Sequence, residues 1–230
     1  MESARTGTGA RPGVLVFDVN ETLSDMSPMA ARFEDIGASG HQAQLWFAQV
    51  LRDGFALAAC GAEAAFTDVA AEILRTTLDE SSLDRGLEEA VDHVLGGMGE
   101  LSVHDDVPEG LRALDALGVR LVTLSNGAPA VAAGLLERAG VRWLLEALLS
   151  AEDAGAWKPA EQAYRHALDH CGVAPGEAML VAVHPWDIDG ASRAGLRTAW
   201  LNRSGASYPA HFRTPDVEVA SLDELAERLH

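Results

Sequence analysis

The stretch Val14-Leu15-Val16-Phe17-Asp18-Val19-Asn20-Glu21-Thr22 decides the fold. Its four consecutive apolar residues lack the alternation of a half-exposed strand. They suit a strand buried on both faces, as in a parallel sheet. The run stops at Asp18, where polar residues take over. Working outward, runs of the same character recur at residues 119–124, 179–183 and 198–201, with a weaker one at 217–219.

Helical periods separate the later strands. Residues 109–117 are amphipathic and stop at Gly118, Pro129 opens a helix that stops at Gly140, and residues 160–171 form another ended by Gly172. A helix runs on to Ala194, for which Asp187 could alternatively be no more than a cap. Ser221, with Glu224 three residues on, is a capping box for the last helix. This alternation with short links predicts an α/β fold, a doubly wound, Rossmann-like parallel sheet. Residues 28 to about 104 carry no convincing strand but helix-period segments at 43–59, 64–77 and 87–95. They read as a helical cap inserted after the first strand, leaving 13–27 and 105–230 as the α/β core. Residues 1–12, small and polar, read as a disordered leader.

The chain has 230 residues, 17 Lys and Arg against 35 Asp and Glu, and a net charge of −18. Such a surface repels a phosphate backbone and anionic lipid, so neither nucleic acid nor a membrane surface is an expected partner. The first dozen residues lack an apolar signal core, and a cytoplasmic protein is expected. Two cysteines, Cys60 and Cys171, suggest buried thiols rather than a disulfide framework or a zinc site.

Open α/β sheets bind ligands at the carboxyl ends of their strands. The residues just past those ends are Asp18 to Thr22, Ser125-Asn126-Gly127 and His184 to Gly190, with Trp157-Lys158-Pro159 before a helix. They bring a carboxylate, a hydroxyl, an ammonium and a second carboxylate to one mouth. Asp18 reads as a nucleophile, kept ionised by an ammonium such as Lys158. Ser125 and Asn126, with backbone amides near Asn20, can hold a carboxylate or phosphoryl group. Asp187 is placed to orient water, hold Lys158 or bind a metal. Glu21 and Asp25 read as solvated, and Trp46 as core of the helical segment.

At these residues the chain resembles the haloacid dehalogenase superfamily. Strand-Asp18-x-Asn20-x-Thr22 matches its first motif, Ser125-Asn126 its second, Lys158-Pro159 its third and the Asp187 region its fourth. Within it, the chain is similar to the type II 2-haloacid dehalogenases. Phosphatases of the superfamily carry an acidic residue where Asn20 stands and a metal-binding one where Val183 stands. The resemblance implies a hydrolase in which Asp18 displaces halide from a small 2-halo acid, forming an ester that water cleaves, with no cofactor and no metal. It implies that Thr22, Ser125 and Lys158 position nucleophile and substrate carboxylate, with Val19 and Asn20 beside them. Tyr164 would lie near Lys158, Asn126 and Trp186 would border the halide, and Asp187 would orient the lysine and the hydrolytic water. Relatives carry an arginine after the first helix's tryptophan to receive the halide. Here Phe47 follows Trp46, and Arg52 or another residue would have to substitute. Their Ser-x-Asn before Trp-Asp reads Ala182-Val183-His184, and His184 can serve as base or polar anchor. A homodimer is the implied assembly. Three readings stay open beside it: a Mg2+-dependent phosphatase using Asp18 with Asp187 or Asp189, a repurposed member acting on another small acid, and a non-catalytic binding module.

Overall fold

The structure, a computed structural model, describes residues 11–230. Of the expected leader, residues 1–10 lie outside the described residues. Arg11 is ordered, its guanidinium donating to the Leu117 and Leu229 carbonyls.

Six parallel strands form one sheet: β1 (Val14–Phe17), β2 (Arg120–Ser125), β3 (Ala147–Ser150), β4 (Ala178–Ala182), β5 (Arg197–Leu201) and β6 (Val217–Val219). Their spatial order is β3-β2-β1-β4-β5-β6, with β1 at the topological switch point. Five of the strands are those expected. The sixth, β3, was not, because Ala-Leu-Leu-Ser has no β-branched residue and follows the apolar Leu144-Leu145.

Alternate residues of each strand feed opposite layers. Leu15, Phe17, Leu121, Met179 and Val181 pack with α5 (Val107–Ala116) and α9 (Leu222–Leu229). Val14, Val16, Val122, Leu124 and Leu180 pack with α7 (Glu161–Cys171) and α8 (Pro185–Arg193). A strand covered on both sides has no polar face to show, which explains the continuous apolar runs. Helix α6 (Pro129–Arg138) follows β2.

Between β1 and α5 run α1 (Met29–Glu34), α2 (Gln42–Ala59), α3 (Phe66–Thr77) and α4 (Leu87–Glu100). The helix α1 was not anticipated; at six residues it is too short to show a period. An antiparallel bridge between Ser24 and Val103, with Asp25 N–H donating to the Ser102 carbonyl, joins the chain where it leaves for these helices and where it returns. Their core (Phe33, Trp46, Val50, Leu74, Val94) takes in Val19, Ala132, Leu135 and Trp157 from the sheet side. Gly54 of α2 lies so close to Trp157 that a Cβ there would sit 2.1 Å from its ring. Trp46 is core, as expected, and its indole N–H donates to the Ala70 carbonyl. Cys171 is buried, but Cys60 at the end of α2 is exposed, contrary to expectation.

Candidate active site

Strand register builds the site. Phe17 of β1 stands opposite Val181 of β4, and the Asp18 N–H donates to the Val181 carbonyl. Asp18 therefore emerges at the carboxyl end of the central strand, beside the turn from β4 into α8. There it meets Lys158, Thr22 and His184.

Lys158 Nζ donates to Asp18 Oδ1 at 2.8 Å and to Asp187 Oδ2 at 2.6 Å, with its side chain fully buried. Burial alone would lower the lysine's pKa, but the two carboxylates raise it above the usual value. Likewise, burial would push the Asp18 carboxyl up, yet Lys158 and His184 hold it well below the usual carboxylate range. Thr22 Oγ1 donates to Asp18 Oδ2 at 2.7 Å and accepts from the Val183 N–H.

Asp187 is sealed. Its Oδ1 accepts from the Tyr164 hydroxyl at 2.6 Å, and burial raises its pKa. Burial, and then Asp187, push the Tyr164 hydroxyl well above its ordinary value. Gly190 is required here, because a Cβ would stand 2.5 Å from the Tyr164 hydroxyl. Tyr164 thus reaches Lys158 through Asp187.

Asn126 serves Lys158 through the backbone, its Oδ1 accepting from the Lys158 N–H at 2.8 Å and its Nδ2 donating to the Lys158 carbonyl at 3.4 Å. The amide expected at the halide is therefore already engaged. Ser125 Oγ accepts from the Gly127 N–H. Val19, Asn20 and Ser125 line a cavity of about 190 Å³ with Phe66, Met98 and Val131, whose surroundings are mostly apolar.

His184 and Glu21 carry the largest departure from the sequence reading. His184 Nδ1 lies 3.2 Å from Asp18 Oδ2, and Nε2 lies 2.8 Å from Glu21 Oε2. Burial would lower the imidazole's pKa, but these two carboxylates overcome it and push it up to about 9. Glu21 is thus paired rather than merely solvated. Its backbone is left-handed (φ 61°), a conformation that residue type alone does not announce. The His184 ring centroid is 5.0 Å from that of Trp186 and 6.4 Å from that of Phe47. Phe47 is buried against Phe66, and Trp186 meets Phe55 edge-on.

Arg52 does not replace the missing arginine: it is exposed and bound to its neighbour Asp53. Among the described residues, the cationic groups in contact with Asp18 are Lys158 and His184. Asp189 turns away to Arg193 and the Arg213 N–H, so it cannot join Asp18 at a metal. No group of three His, Cys, Asp or Glu among the described residues could hold a metal ion. Nor is any described helix long and apolar enough to cross a membrane.

Fold and site together define a doubly wound α/β protein with a buried, lysine-held carboxylate at the switch point of its sheet and helices inserted after the strand that bears it. Residues 13–195 match the model of the haloacid dehalogenase-like hydrolase family, and the chain belongs to that family. It is 30% identical over 214 residues to (S)-2-haloacid dehalogenase 4A of Burkholderia cepacia, covering 91% of each chain. To haloacetate dehalogenase H-2 of Moraxella sp. (strain B) it is 28% identical over 213 residues, covering 92% of this chain and 95% of the relative. A crystal structure of a dehalogenase with an intermediate complex superposes with a TM-score of 0.85 at 27% identity, covering 96% of this chain and 98% of the other.

Proposed function

We propose that the protein hydrolyses the carbon–halogen bond of short 2-halo acids with Asp18 as nucleophile. One observation carries the reading: a nearly buried carboxylate, paired with a buried lysine, whose chain neighbours Val19 and Asn20 line a small apolar cavity. Desolvation makes such a carboxylate a stronger nucleophile than it is in water. Asp18 attacks C2 in line with the departing halogen, inverts it and forms an ester. The halide leaves as an anion and needs no acid. Water then adds to the Asp18 carbonyl carbon, and the 2-hydroxy acid departs.

Lys158 and Thr22 hold Asp18, and Asp187 and Tyr164 hold Lys158, as does Asn126 through the backbone. Ser125, with the backbone at Val19 and Asn20, receives the substrate carboxylate. Phe47 and Trp186 bound the halogen's side with apolar surface. Residues 28–104 serve as the cap over 13–27 and 105–230. The reaction needs neither cofactor nor metal. A cytoplasmic setting fits two unpaired cysteines, one of them exposed, and the resemblance makes a homodimer the assembly to test for.

The test is halide release from 2-chloro-, 2-bromo- and 2-fluoropropionate with EDTA present. The wild type should release halide, and Asp18→Asn should lose at least about 10⁴-fold. No release by the wild type, with phosphate-ester cleavage on adding Mg2+, would establish the phosphatase instead.

A further inference from the structure

We propose that Arg203 is a positioning residue for the attack by Asp18, acting through the backbone of Thr22. This rests on the reading of Asp18 as the nucleophile. Thr22 orients that carboxylate, since its Oγ1 donates to Asp18 Oδ2 at 2.7 Å. Thr22 is in turn held by its own carbonyl. Arg203 stands two residues beyond β5, and its Nη2 donates to the Thr22 carbonyl at 3.0 Å. Its Nη1 donates to Asp106 Oδ1 at 2.7 Å, while Asp106 Oδ2 accepts from the Leu222 N–H at the start of α9.

The guanidinium is aimed at two acceptors rather than one. An arginine devoted to a carboxylate commonly makes a fork, with two parallel N–H donors on the two oxygens. Here one arm goes to Asp106 and the other to Thr22, and the buried Nε has no hydrogen-bond partner among the described residues. A buried donor left unsatisfied is costly, so the orientation that reaches Thr22 is held against a penalty. Only 19% of the Arg203 side chain and 15% of the Asp106 side chain are exposed, so salt screens the pair little.

The end of β5 also holds Thr22 by a second route. Trp200, on that strand, donates its indole N–H to the Val183 carbonyl at 2.9 Å, and the Val183 N–H donates to Thr22 Oγ1 at 3.1 Å. Carbonyl and hydroxyl of the same threonine are thus both tied to β5 and the segment after it. Thr22 lies where the chain leaves the sheet for the inserted helices, and Asp106 lies just before α5, where it returns. Arg203 joins the departing chain to the returning one at the nucleophile's support. In-line attack tolerates little misplacement, about 1 Å being enough to cost about 10²-fold. The side-chain hydrogen bonds of Arg203 go neither to Asp18 nor to the residues that receive the substrate, so it acts on orientation rather than on binding.

The test measures the first chloride released from 2-chloropropionate, by rapid quench at saturating substrate, together with urea unfolding. Arg203→Lys keeps a cation for Asp106 but lacks the rigid fork that spans two acceptors, and its first-chloride rate should fall about tenfold. Arg203→Gln should show the same fall and carries the test if Arg203→Lys does not fold. Thr22→Val removes the hydroxyl but keeps the carbonyl, and should slow the first chloride about 100-fold. Arg203→Lys combined with Thr22→Val should be no more than about twofold slower than Thr22→Val alone, because residues that act as one unit are not additive. A wild-type first-chloride rate in a folded Arg203 variant, with only the unfolding midpoint lowered, would overturn the proposal. So would losses that multiply in the double variant, as a purely structural role requires. Both results leave Asp18 as the nucleophile, whereas no chloride from the wild type would overturn that reading and this one with it.

Discussion

On one side of Asp18 the Lys158 ammonium is sealed, fully buried between two carboxylates. On the other, the His184 imidazole is paired with a half-exposed glutamate, Glu21, that lines a cavity. Both cations hold the same carboxylate ionised, but only the imidazole keeps part of its side chain exposed. Lys158 has its proton locked by Asp18 and Asp187, in surroundings where neutralising it would strand two buried carboxylates. His184 stands between two carboxylates, Asp18 and Glu21. The sealed side thus fixes charge and position, and the open side holds a cation whose charge depends on pH.

Breaking the sealed side should cost most. Lys158→Met leaves Asp18 and Asp187 facing each other unpaired, with an expected loss of about 3–5 kcal/mol of stability, read by urea unfolding. Halide release should fall by about 10²–10³-fold as one preorganised donor is removed. A folded Lys158→Met of normal stability and activity would mean that the pair is an incidental contact.

The open side sharpens the comparison through pH. The folded His184 pKa, about 9, lies above its unfolded value of 6.5. Its contribution to stability is therefore fully present below about pH 6.5 and is lost as pH rises through about 9. The groups facing it are Asp18, Glu21 and, across Asp18, Lys158. The difference in unfolding free energy between wild type and His184→Asn should shrink over that window. A difference that stays flat with pH would show that His184 is not charged in the folded protein.

Much of this was legible in the sequence, for a physical reason. Asp18, Lys158 and Asp187 stand at the ends of elements whose apolar patterns are unambiguous, so topology alone brings them together. The strand β3 was hidden because Ala147–Ser150 carries no strand-forming side chains and owes its state to pairing with β2. The Glu21–His184 pair was hidden because it depends on one backbone angle and on the β1–β4 register, neither of which a residue type encodes. Phe47 was visible as a departure, but its packing against Phe66 and His184 emerges only when α2, α3 and the β4–α8 turn are assembled.

The most direct test of the central claim is a single turnover of 2-chloropropionate, with enzyme in excess, in water enriched in oxygen-18. Attack by Asp18 followed by hydrolysis at its carbonyl carbon predicts label in the Asp18 carboxylate and an unlabelled lactate hydroxyl. Label in the lactate hydroxyl with none in Asp18 would mean that water attacks C2 directly, and would contradict the account.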